Sequence, residues 1–317
     1  MERLMIVFLV RRIAAGLVLV LVIATTTFAL MGLTGSDPVR QIVGQTATRQ
    51  QVTAKSAELG LDQPFVVRYG HWLADAVHGN LGSSWFSGES VTTSLENKLP
   101  VTLSIVLAAL LLSAVLSTVL GVAAAVRRGA LDQVVQLLAV LGFAVPSFLV
   151  ALVFAVVIGV DLGWLPATGY VPFADSASGW LKSITLPALS LSVGAIAATA
   201  QQVRGSMVDV LRADYVRTLR SRGISERSLL FRHALRNAAP AALTVLALQF
   251  IGLVGGAVVV EKVFGLNGIG SEATSAGSQG DTPVVMGVVV VMVALVVVVN
   301  ILMDLAYGWL NPKVRVG

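Results

Sequence analysis

The sequence predicts an all-α fold that crosses a lipid bilayer six times, and three observations carry that prediction. Hydrophobic residues make up 56% of the 317 positions and charged residues only 12%, with a mean hydropathy of +0.85, whereas soluble domains carry about a quarter charged residues. A hydrocarbon layer about 30 Å thick takes roughly 20 apolar residues at about 1.5 Å of helical rise each. Six uncharged runs of that size occur, at 13–33, 101–126, 134–160, 184–203, 241–260 and 283–303. Finally, Lys and Arg crowd the segments on one side of these runs and thin out on the other, the asymmetry that sets topology.

Each run has its own reading. The first follows Arg11-Arg12, exceeds the roughly 7 to 15 residues of a secretory signal's apolar region and precedes no A-x-A-like site, so it is expected to stay as an uncleaved helix over 1–33. The next segment, 34–99, is too long for a plain connector. Phe65, Tyr69, Trp72, Trp85 and Phe86 supply enough aromatic surface for a small packed cap, with helical signals over 50–60 and 64–79; an interfacial aromatic belt is the plainer account. A core of 100–305 follows. In its third run Pro146 is expected to kink the helix. In its fifth, Gly252 and Gly256 form a G-x-x-x-G suited to close helix packing, and Glu261 and Lys262 at its end are expected to pair or to snorkel. A tail, 306–317, closes the chain.

Orientation follows from the cations. Arg3, Arg11, Arg12, Arg127, Arg128, eight arginines from Arg204 to Arg236, Lys313 and Arg315 fall on one side; Lys182 and Lys262 lie in the short loops of the other. Both termini are expected in the cytoplasm, in keeping with an even number of spans. Arg40, Arg49, Lys55, Arg68 and Lys98 occupy the long first loop, where the rule is weak.

The stretch RADYVRTLRSRGISERSLLFRHALRNAAP, 212–240, stands out for its arginine. An arginine at a membrane centre costs roughly 2.5 to 3.5 kcal/mol, so 204–238 is expected to stay outside the bilayer. Met207, Val210, Leu211, Tyr215 and Leu219 recur at helical spacing, which predicts one amphipathic helix continuing the fourth span. Gly223 offers a left-handed stop and Ser225 an N-cap for a second helix through Leu229, Leu230 and Ala234. A basic loop that fixes topology or meets anionic lipid explains the charge; docking to a partner protein explains the helix, glycine and helix as well. Nucleic-acid binding is disfavoured, because only Tyr215 and Phe231 could serve as stacking platforms.

Catalytic signals are missing. No G-x-x-x-x-G-K-[ST], H-E-x-x-H or G-x-S-x-G occurs, the chain has 3 histidines (His71, His78 and His233) and 0 cysteines, so no P-loop, disulfide or thiolate site is expected and no metal site is predicted.

DYVRTLRSRGISERSLLFRHALRNAAP resembles the EAA loop of ABC importer permeases, in the form found in the dipeptide and oligopeptide (peptide/nickel) permease family. The likeness runs along the chain, through VRRIAAGLVLVLVIATTTFALMGLTGSDPV, ELGLDQPFVVRYGHWLADAVHGNLGSSW, VPSFLVALVF, LGWLPATGY, GGAVVVEKVFGLNGIG, GDTPVVMG and DLAYGWLNPKVRVG. Some positions depart from the family pattern: Arg217, Thr218 and Leu219 stand for Glu-Ala-Ala, Ser36 follows Gly35, and Asn80 and Asn267 replace Asp and Pro. Gly223, His233, Arg236 and Asn237 keep their places.

The resemblance implies a six-helix type I importer permease, without catalytic residues of its own, that forms half of a translocation path for di- or oligopeptides. It implies as partners a second homologous permease, two ATPase subunits that bind ATP and Mg, and an extracytoplasmic solute-binding protein, all at a bacterial inner membrane and without nucleic acid. Contact with the ATPase would fall on Asp214, Arg217, Arg222, Gly223, Ser225, Leu229, Leu230, His233, Arg236 and Asn237. Leu229 and Leu230 would act as apolar anchors, Arg227, Arg232 and Arg236 as rim contacts, and His233 as a hydrogen bond across the joint. Ser147, Gln249, Asn300 and Asp304 are polar groups in apolar runs, which by default face the path or hydrogen-bond between helices. Nickel, glutathione or another small solute is the alternative cargo. An ion-coupled secondary transporter would want an embedded acid and internal repeats, and a membrane enzyme a catalytic constellation; neither is visible.

Overall fold

The computed structural model describes residues 2–33, 37–127 and 129–310, with side chains from 10 to 308. The expected Gly35-Ser36 turn, Arg128, Lys313 and Arg315 lie outside the described residues. In order come α1 (Glu2–Leu33), α2 (Pro38–Val43), α3 (Arg49–Glu58), α4 (Phe65–Val77), α5 (Val91–Val126), α6 (Ala130–Ala144), α7 (Ser147–Val153) with a π-helical turn Phe154–Asp161, α8 (Ala177–Arg212), α9 (Asp214–Ser221), α10 (Glu226–Ser228) with a second π turn Leu229–Ala234, α11 (Leu235–Val263), α12 (Ile269–Gln279) and α13 (Thr282–Leu310). An isolated bridge between Ser83 and Ser90 is the one β pairing among the described residues. Among the described residues five helices are long and apolar enough to cross a membrane, or six if one bent pair is a single span.

That bent pair is the third run. The kink expected at Pro146 within 134–160 is a 96° bend between two pieces, α6 and α7 with its π turn. The cause is local. Pro146 has no N–H and its ring drives the preceding residue out of the helical region, and Val145 sits extended at φ −92, ψ 117.

The chain forms two compact units, one made of residues up to Val101 with Asn267–Val298, the other of Thr102–Leu266 with the residues from Val299 on. In the first, the segment after α1 is built from capped helices. Asp37 caps α2, and Thr48 with Gln51 closes a capping box on α3, each satisfying orphan N–H groups. The aromatics then pack together: Phe28 of α1 lies 4.9 Å from Phe65 and 5.1 Å from Tyr69 between ring centroids, Tyr69 stacks on Trp72 at 6.1 Å, and Ala24 and Met286 close the cluster. Val91 and Leu95 of α5 join Ile269, Ala276, Val284 and Val288 in a second core. Two polar clasps flank it. Ser84 Oγ donates to Asp281 at 2.6 Å, as does the Trp85 N–H at 3.3 Å, while Lys98 pairs with Glu272, which also accepts from Ser94. Burial raises the Asp281 carboxyl above its ordinary range, against these donors, which favour the charged form.

In the second unit α8 is central, with α6, α7 and α11 packed on it. Small residues let the backbones approach. A Cβ at Gly121 of α5 would lie 2.7 Å from Val203 Cβ and 2.8 Å from the Ala200 carbonyl oxygen, and one at Gly142 of α6 would lie 2.9 Å from Ala197 Cβ. Buried Ser113 and Ser190 return their hydroxyls to carbonyls one turn back at 2.7 Å, which keeps polar atoms satisfied in an apolar interior. Gly121→Ala is therefore expected to destabilise by about 1–3 kcal/mol, since Ala200 offers backbone rather than a movable side chain. Gly205→Ala in α8, where a Cβ meets nothing within 4 Å, is expected to be neutral or to stabilise by up to about 1 kcal/mol. Thermal unfolding of the two purified variants checks the contrast.

Candidate functional site

The basic loop is held by three local devices. The helix expected to run unbroken from the fourth span through Leu219 instead stops at Arg212. Ala213 takes φ −66, ψ 145, and α9 restarts at Asp214. At the far end of α9, Gly223 has φ 77, its N–H reaches the Arg220 carbonyl at 3.0 Å, and the Ile224 N–H reaches Leu219 at 3.3 Å. That pair of bonds is a Schellman stop, which needs a residue that tolerates the left-handed region. Across the turn Arg220 Nε donates to Glu226 at 2.7 Å and Nη2 at 3.2 Å, a pair that raises the guanidinium above its ordinary value. Both side chains are exposed, so the pair positions the turn more than it stabilises it.

Ser225 occupies the N-cap position in an extended conformation, as expected, but its side chain makes no capping bond. From Glu226 the chain is helical without interruption to Val263, passing through the π turn, where the Leu235 N–H bonds to Leu230. The loop and the fifth span are thus one rod. Its base is the cluster of Ala125, Val203, Met207, Ala234, Ala238 and Ala242, with Leu230 and Leu235 packed on it.

This packing redistributes the expected roles. Leu229, expected as an outward anchor, is 0% exposed, and Leu230 faces the cluster, so both hold the loop onto the bundle. The bond across the joint comes from Asn237 rather than the His233 ring: Asn237 Nδ2 donates to Tyr215 Oη at 3.0 Å and to the His233 carbonyl at 2.9 Å. Asp214 heads α9, and Arg217, Arg222 and Arg236 are exposed. Phe231, set aside above as a stacking platform, is 61% exposed. It lines a depression of about 450 Å³ with Ser225, Arg227, Ser228 and Arg232. Sequence periodicity gave no signal for Phe231 because it lies off the apolar stripe.

The polar groups of the apolar runs lie on three helices, α7, α11 and α13. Ser147 starts α7 and its Oγ lies 3.8 Å from a Cβ built on Gly256, which also meets Leu191 at 3.0 Å; Gly252 has nothing within 4 Å, so only half of the G-x-x-x-G is a packing contact. Gln249 and Asn300 are half-buried, and Asp304 lies near the end of α13. Glu261 does not snorkel: it is fully buried and accepts from Thr102 Oγ1 at 2.6 Å, while Lys262 is exposed. Among the described residues no cluster of His, Asp or Glu could hold a metal ion.

Two family descriptions match the chain. Residues 117–316 match the binding-protein-dependent transport system inner membrane component, and residues 5–106 match the N-terminal part of such membrane components. The chain is 40% identical over 308 residues to a Brucella abortus protein named as a peptide transport system permease, covering 97% of this chain and 98% of the relative. It is 35% identical over 310 residues to a Sinorhizobium fredii protein named as a peptide ABC transporter permease, covering 98% and 99%. A glutathione transport system permease of Salmonella choleraesuis is 33% identical over 309 residues, covering 97% and 98%. The all-helical architecture and these matches over both halves place the chain in one family: it belongs to the inner membrane components of binding-protein-dependent transport systems, the permease subunits of ABC transporters, which are transport subunits and not enzymes.

Proposed function

We propose that this chain forms half of the path of a peptide importer, and that the loop over 204–238 takes up the work of ATP hydrolysis in partner subunits. The observation that carries this reading is the unbroken helix from Glu226 to Val263 behind the Gly223 turn. A segment that pivots at a glycine and continues rigidly into a span moves the span whenever it is pushed. Swinging a two-state gate from 1:99 to 99:1 needs about 5.5 kcal/mol of differential binding. No nucleotide motif exists in this chain to supply that energy, so two ATPase subunits holding ATP and Mg supply it from below. The other half of the path is a second homologous permease, and cargo arrives from a solute-binding protein on the outer face. Both termini and the basic loop face the cytoplasm of a bacterial cell. Arg217, Arg222, Arg227, Arg232 and Arg236 form the charged rim of the ATPase contact, and Phe231 is its apolar centre. Ser147, Gln249, Asn300 and Asp304 line the path.

Peptide cargo rests on the names of the relatives at 40% and 35% identity. Glutathione, itself a modified peptide, is the second reading and rests on the relative at 33%. In proteoliposomes holding both permeases, both ATPases and the binding protein, dipeptide uptake is expected to need ATP and to survive collapse of proton and sodium gradients. Accumulation driven by either gradient without ATP would overturn the assignment, and the solute recovered with the co-encoded binding protein decides between peptide and glutathione.

A further inference from the structure

One cavity of about 310 Å³ lies within the unit formed by α1 to α4 and the start of α13, and no role described so far uses it. Arg68 and Trp72 of α4 both line it; at i and i+4 they share one face of that helix. Arg68 is half-buried and makes no ion pair among the described residues; its guanidinium lies 5.8 Å from the centroid of the Phe28 ring. A ring face satisfies part of the charge but none of the planar fork of N–H donors. Trp72 Nε1 is buried without a hydrogen-bond partner, a state that costs about 1–3 kcal/mol unless something else accepts the proton. The one carboxylate lining the cavity, Glu58, is already held by Lys55 at 2.7 Å. Phe28 and Trp85 give it apolar walls, and Gln63 adds an amide at the rim. Burial also lowers the Arg68 guanidinium below its ordinary value, the cost a desolvated cation carries until an anion joins it.

We propose that this cavity binds an oxyanion carried on an apolar body, with the Arg68 fork and the Trp72 N–H as donors. A peptide's terminal carboxylate and a lipid phosphate share that chemistry. The volume suits a dipeptide-sized group, and the peptide source rests on the import reading above, whereas the lipid source is independent of it. A planar guanidinium binds carboxylate or phosphate through two parallel bonds, the indole N–H adds a third, and the rings cover the side chain.

The test uses the assembled importer without its binding protein, in nanodiscs of phosphatidylcholine with or without phosphatidylglycerol. The dipeptide Ala-Leu is expected to bind about tenfold more tightly than its C-terminal amide, as loss of a charge-assisted bond requires. Arg68→Gln is expected to abolish that preference, Arg68→Lys to keep part of it, and Trp72→Phe, which keeps a ring and removes the donor, to weaken binding by about threefold to tenfold. If the occupant is lipid, native mass spectrometry finds phosphatidylglycerol retained by the parent and lost from Arg68→Gln, and Ala-Leu and its amide do not differ. Binding of Ala-Leu and retention of lipid that are both indifferent to Arg68 and Trp72 in variants that assemble normally would overturn the site. ATP-driven uptake by the same preparations reports on the import reading separately: intact uptake with an indifferent cavity removes the site alone, and absent uptake with Arg68-dependent binding removes the import reading alone.

Discussion

Gly223→Val is expected to reduce ATP-driven uptake by about tenfold or more while leaving membrane insertion and subunit abundance unchanged. Gly223 holds φ 77 and closes the Schellman stop of α9. A residue with a Cβ in the left-handed region costs roughly 1–2 kcal/mol, and a β-branched one is a sharper outlier; about 1.4 kcal/mol is a tenfold loss of the bent population. The effect is purely conformational, because a Cβ at Gly223 meets nothing within 4 Å. Gly223→Asn, which tolerates that region, is therefore expected to keep most of the activity. The two variants separate backbone from bulk: both side chains fit the space, and only one fits the dihedral. Insertion is spared because the apolar helices on either side are untouched. Equal uptake by Val and Asn variants in proteoliposomes would remove the glycine turn from the mechanism.

The turn was legible in the sequence because a glycine between two amphipathic stretches has few other uses, and the spans were legible because an uncharged run of 20 or so residues has few other fates in water. What escaped the sequence came from two physical sources. One is the departure from the 3.6-residue period. The π turn at Leu229–Ala234 inserts wider spacing; Phe231, off the stripe of Leu229, Leu230 and Ala234, is exposed, while Leu229, expected at the ATPase contact, is buried. Similarly, Pro146 announces a kink but not its angle of 96°. The other source is distance along the chain. Glu261 reads as an interfacial acid until Thr102, on another helix, donates to it. The helices likewise outrun their apolar cores: α8 begins at Ala177, ahead of the run at 184, where Trp180 Nε1 reaches Ser104 at 3.0 Å. Arg68 carried no signal at all, because an arginine in a long loop looks solvated until its neighbours fold round it.

Phe231→Ala is expected to weaken association with the ATPase subunits by about thirtyfold, as truncating an aromatic centre worth about 2 kcal/mol requires. An aromatic ring left 61% open to solvent beside a depression ringed by Arg227 and Arg232 combines an apolar anchor with charged surroundings, the composition enriched at the centres of protein contacts. Leu229→Ala probes the opposite situation. Leu229 is fully buried, so its truncation leaves a void and is expected to cost about 2–5 kcal/mol of stability, lowering the melting temperature of the isolated permease pair. Phe231→Ala is expected to leave that melting temperature unchanged, because nothing in the folded chain closes over the ring. The discriminating measurement is thus a pair of curves, thermal unfolding of the permeases alone and titration with purified ATPase. A Phe231→Ala variant that binds ATPase normally would move the apolar centre of the contact elsewhere in the loop, with Tyr215, 40% exposed and hydrogen-bonded to Asn237, the remaining exposed aromatic able to supply it.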